Sequence, residues 1–117
     1  MKITNLNQEV AELIEQSDGT FELAFGEISK GSPSQLKLQV DSEKGFAELK
    51  SSVSCGGCTK ASHKKLSQNL YNVSISYDTN LLGRINKFVY IYYILKGEKE
   101  SQKKIIKLTG KIMPNDN

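Results

Sequence analysis

The sequence predicts an all-β protein, an antiparallel sandwich of about seven strands. Three observations lead there. Apolar residues recur at every second position in segment after segment; turn-forming Gly, Asp, Asn and Ser clusters separate those segments; and no alternation of strands with long helical patterns runs through the chain.

Phe21, Leu23 and Phe25 alternate with polar or small neighbours, and Leu36, Leu38 and Val40 do the same in QLKLQV. Ala47, Leu49, Ser51 and Val53 follow more weakly. Tyr71, Val73, Ile75 and Tyr77 alternate with Asn72, Ser74 and Ser76, which predicts one apolar face and one wet face. FVYIYYIL, Phe88 to Leu95, is apolar throughout and rich in β-branched and aromatic residues, the pattern of a strand covered on both faces. Ile106, Leu108 and Ile112 mark the last strand. Turns are expected at Ser17-Asp18-Gly19, at Lys30 to Pro33, at Ser42 to Gly45, between Cys55 and Cys58, from Asp78 to Gly83, and at Lys96-Gly97-Glu98. Near the start, Val10, Leu13 and Ile14 have helical spacing with Asn7 placed to cap, so a short N-terminal helix and an edge strand fit the same residues almost equally well. Strands of this number and spacing fit a sandwich of immunoglobulin type.

The chain has 117 residues, enough for one domain, and its 38% hydrophobic and 25% charged residues are those of a globular protein. It is read as a single domain over 1–117. The net charge of +3 conceals an asymmetry: residues 1–50 hold five lysines against nine acids, and residues 51–117 hold eleven Lys and Arg against four acids. Such a chain can orient against a charged partner, although charge runs are more often solvated strand faces. MKITNLNQEVAELIEQ lacks the apolar core of a secretory signal, and no apolar run is long enough to span a bilayer, so a cytosolic site of synthesis with reduced thiols and no membrane partner is expected.

Both cysteines lie in SCGGCT, where Cys55 and Cys58 flank Gly56-Gly57. One reading is zinc: a C-x2-C knuckle gives two thiolates, His63 offers a third ligand, and a carboxylate or a second copy of the chain would have to complete the four that structural zinc takes. A second is redox chemistry, which needs the pair at a helix N-terminus and would make ASHKKLSQNL a helical turn beside Lys60, Lys64 and Lys65. The third is a tight loop at a hairpin tip, with the cysteines as small semi-buried residues. No Ser-His-Asp order, phosphate-binding glycine loop or carboxylate pair is present, so an enzyme and a cofactor are not expected. Nucleic acid is disfavoured as a partner because no known reading module matches, although KKLSQNLY and the stretch from Lys96 to Lys111 are basic.

Taken in order, FELAFGEISKG, LKLQV, SCGGCT, YNVSISYDTNLLGRINKFVYIYY and IIKLTGKI resemble the Hydin-type (ASH) immunoglobulin-like domain family, in particular its bacterial branch. The shared pattern is Phe25-Gly26-Glu27-Ile28 with Gly31, the Cys-Gly element, Tyr77-Asp78-Thr79, Gly83-Arg84 with the long strand from Lys87 to Tyr93, and Gly110-Lys111-Ile112. The resemblance covers about residues 20–112. It departs at Gly56-Gly57, where the family has one glycine, and in the lack of an export signal. The resemblance implies a non-enzymatic module that binds other proteins. In a small copy without a signal, it implies a structural protein of a tailed bacteriophage, such as a decoration subunit present in many copies on a capsid. The expected partner is then the major capsid protein or another virion protein, with assembly in the bacterial host cytoplasm. A cellular scaffold or adhesion module in the bacterial cytoplasm is the alternative, and a thiol or zinc protein a third. In a sandwich only one face of FVYIYYIL meets the core, and the other, either Phe88, Tyr90, Tyr92 and Ile94 or Val89, Ile91, Tyr93 and Leu95, needs cover; the first set is taken as the candidate interface, with cover by the N-terminal segment or a loop as the alternative.

Overall fold

A computed structural model describes residues 1–55 and 59–115. They form nine strands and no helix: β1 (Lys2–Asn5), β2 (Glu12–Glu15), β3 (Phe21–Ser29), β4 (Gln35–Asp41), β5 (Phe46–Val53), β6 (Thr59–Ser67), β7 (Leu70–Tyr77), β8 (Gly83–Leu95) and β9 (Gln102–Met113). One sheet has the order β1-β4-β7-β6 and the other β2-β3-β9-β8-β5. The two pack into a sandwich consistent with an immunoglobulin-like fold. All pairings are antiparallel except β3 with β9, which run parallel.

The period-two alternation becomes the core. Leu23, Leu36, Leu38, Val40, Val73, Ile75, Val89, Ile91, Ile106 and Leu108 are wholly buried between the sheets. Phe46 stands edge-on to Tyr71 and Tyr93, with ring centroids 5.4 and 6.1 Å away. At the other end of the sandwich, Phe25 stacks on Tyr77 at 4.5 Å. The Phe25 ring lies directly over Gly110, where a side chain would collide with it.

Four expectations are corrected. The N-terminal helix is absent among the described residues: Glu12–Glu15 is an edge strand on β3, and Val10 is exposed. Asn7 does not cap a helix. Its side chain accepts a hydrogen bond from the Lys37 N–H at 2.6 Å, while its backbone carbonyl accepts from the Val10 and Ala11 N–H groups. Together with the buried Asn5, whose Nδ2 donates to the Ala11 carbonyl at 2.7 Å, it forms the crossing from one sheet to the other. ASHKKLSQNL is not a helical turn either: it is most of β6 and the hairpin into β7. In β5, the pairing shifts between Phe46 and Glu48, so Phe46 is buried and Ala47 exposed, where alternation placed Ala47 inside.

The fourth correction concerns SCGGCT. β5 and β6 belong to different sheets, so the two strands do not form a hairpin; the Gly56-Gly57 loop itself lies outside the described residues. The Ser54 N–H still donates to the Phe88 carbonyl, and the Thr59 N–H donates to the Cys55 carbonyl at 3.0 Å.

Candidate interaction surface

Burial alternates strictly along the middle of β8. Val89, Ile91 and Tyr93 point into the core, so Phe88, Tyr90, Tyr92 and Ile94 point away from it, onto the outer face of the five-stranded sheet. The strand is therefore not covered on both faces as its composition predicts. Phe88 is 36% and Tyr92 39% exposed, and β2, the nearest N-terminal strand, lies at the far edge of the sheet beyond β3 and β9.

The three rings form a ladder. Phe88 and Tyr90 are nearly parallel with centroids 6.4 Å apart, and Tyr92 follows at 6.3 Å. Cross-strand register decides what flanks them: Phe88 lies beside Lys107, Tyr90 beside Ile105 and Ser52, and Tyr92 between Lys103 and Lys50. Side chains directly opposite in a sheet have Cβ atoms about 5 Å apart, so each lysine borders a ring. The Lys103 ammonium lies 5.7 Å from the Tyr90 ring centre, within cation–π range. Tyr93, on the inward side, has its hydroxyl raised in pKa by burial and then by the nearby Glu98, and it donates to Gln102 Oε1 at 3.1 Å.

The cysteine reading changes. Cys55 is disulfide-bonded, so the expectation of reduced thiols does not hold for it, and in this state its sulfur is no thiolate ligand. Cys58, the other half of the C-x2-C candidate, lies outside the described residues. His63 is exposed on β6, with Nδ1 3.1 Å from Ser51 Oγ and its ring near Tyr71. It sits four residues along β6 from Thr59, about 13 Å of extended chain, so it is not gathered beside Cys55. Among the described residues no three His, Cys, Asp or Glu side chains are grouped so as to hold a metal ion.

Five of the residues that carried the resemblance, Phe25, Gly26, Tyr77, Thr79 and Gly110, hold one end of the sandwich together. Phe25, Tyr77 and Gly110 make the ring stack. Gly26 takes a φ of +72° where the β3–β9 pairing shifts, and the buried Thr79 donates its hydroxyl to the Ser32 carbonyl while its own carbonyl accepts from Gly31. These are folding roles, and none of these side chains lies on the β8 ladder. Of the two sets the sequence offers on this strand, the structure turns Phe88, Tyr90, Tyr92 and Ile94 outward; the lysine border was missed, because it depends on the register between β8, β9 and β5. No protein-family model matches the chain, and no curated protein is significantly similar to it.

Proposed function

We propose that this chain is a non-enzymatic structural module that docks onto another protein through the outer face of its five-stranded sheet, as an auxiliary or decoration protein of a tailed-bacteriophage capsid. The observation that carries the docking reading is the uncovered Phe88, Tyr90, Tyr92 ladder. Large rings in a row on a rigid strand give much contact area for little lost side-chain entropy, and Tyr and Phe are enriched in interface cores. The sheet behind them supports that use, since Val89, Ile91 and Tyr93 anchor the same strand in the core and hold the rings in place without a partner.

The virion setting rests on the resemblance to Hydin-type immunoglobulin-like domains. The major capsid protein is the proposed partner. Mass spectrometry of purified particles tests this. Many copies per particle are expected, with the Tyr90→Ser, Tyr92→Ser variant depleted from particles although folded. Absence of the wild-type chain from particles ends the virion reading and leaves the docking face to a cellular scaffold.

A further inference from the structure

We propose that the surface this face receives is acidic: the ladder and its border are built to bind a carboxylate-rich protein segment. This rests on the docking reading and adds the chemistry of the partner. The lysines are the reason. Around the rings, Lys103 and Lys107 project from β9 and Lys50 from β5; toward the far end of the face Arg84 lies beside Lys111, which has Glu27 on its other side in register. Lys50 is already matched, with its ammonium 3.0 Å from Glu48 Oε1. Glu22 lies next to Lys107 in register but is engaged by the Thr109 hydroxyl at 2.9 Å. Among the described residues neither Lys103 nor Lys107 makes an ion pair, and Lys103 rests over the Tyr90 ring instead.

A neutral or basic partner laid over the rings would strip water from these two ammonium groups and return nothing for it, whereas carboxylates would meet them at the rim while apolar atoms cover the rings. The opposite outer face makes the contrast. There Lys60, Ser62 and Lys64 of β6 lie beside Ser76, Ser74 and Asn72 of β7, and no aromatic residue stands among them. That face has charge without rings, and among the described residues of the two outer faces the β8–β9 one combines the two.

The test is an NMR titration of the intact protein with poly-L-glutamate, with a short oligothymidylate run in parallel, at about 50 mM and about 500 mM NaCl, where the Debye length falls severalfold. The expected result is that poly-L-glutamate shifts the resonances of Phe88, Tyr90, Tyr92, Lys103 and Lys107. Its affinity should weaken about tenfold or more at high salt and in the folded Lys103→Gln, Lys107→Gln variant. Shifts confined to Lys60 through Lys64, or affinity unchanged by the double substitution, would overturn the proposal. Tighter binding of oligothymidylate at the ladder would overturn it in favour of a nucleic-acid strand. The particle assay is independent of this titration, so either reading can fail alone.

Discussion

Replacing Gly110 by Ala tests whether the end of the sandwich is held as described. Gly110 has ordinary extended backbone, so a simple propensity argument expects the substitution to stabilise β9 by about 0.5–1 kcal/mol. The structure predicts the opposite sign. A Cβ at this position would lie inside the van der Waals envelope of the Phe25 ring, against Cε1, Cζ and Cδ1. Carbon atoms need about 3.5–4 Å, so the ring must move by more than about 1 Å. It cannot move freely, because its other face stacks on Tyr77 at 4.5 Å. Overpacking of this kind costs about 1–3 kcal/mol, and losing the stacked pair costs about 0.5–1.5 more, so a loss of about 2–4 kcal/mol is expected. For a chain of this length that lowers Tm by about 8–16 °C. Urea unfolding at constant m-value measures it, and Phe25→Leu supplies the control: the double variant should lose clearly less than the sum of the two single variants, because the collision is gone. A Gly110→Ala protein as stable as wild type, or strict additivity with Phe25→Leu, would refute the packing argument.

Three further predictions follow from particular side chains. Burial pushes the Tyr77 hydroxyl up to about 12, and among the described residues it has no hydrogen-bond partner. Its neutral form is therefore the one the fold favours, and stability present below pH 10 is lost as pH rises from about 10 through about 12, by up to about 3 kcal/mol. Tyr77→Phe should be as stable as wild type or up to about 1 kcal/mol more so at neutral pH, with a shallower alkaline loss in urea unfolding; a markedly destabilised variant would contradict this. Asn5→Ala strands the Ala11 carbonyl and the Asn7 N–H at the β1–β2 crossing, and should cost about 1–3 kcal/mol by thermal unfolding, where a loss within error would count against that bridge. Since Cys55 is disulfide-bonded, iodoacetamide should label it only after reduction, and labelling of the untreated native protein would contradict the assignment.

How far the fold could be read in the sequence depended on burial. β4 and β7 bury one clean face, Leu36, Leu38 and Val40 against Val73 and Ile75, and their alternation announces them. β6 is an edge strand whose residues after Ala61 are all exposed, so nothing drives its polar positions to alternate; Lys60, Lys64 and Lys65 instead mark an edge kept from pairing with other chains. β2 stayed ambiguous between helix and edge strand because four residues at an edge, with Leu13 inward and Ile14 outward, sample too little chain to separate a period of 2 from one of 3.6. That FVYIYYIL leaves one apolar face outside the core was legible, since it has two such faces and a sandwich buries only one. Which lysines border it was not, because Lys50, Lys103 and Lys107 are distant in sequence from the rings they flank. SCGGCT, the most conspicuous motif in the chain, lies between two strands of different sheets, and Cys55 in it is disulfide-bonded.

The central claim, that the β8 ladder is the face by which this protein joins an assembly, is tested most directly by hydrogen exchange on the protein free and bound to purified phage capsids that lack it. New protection over residues 84–94 of β8 and the facing part of β9, with the β6–β7 face unchanged, is the predicted result. Saturable binding that protects β6 and β7 while leaving β8 as it was in the free protein would contradict the claim.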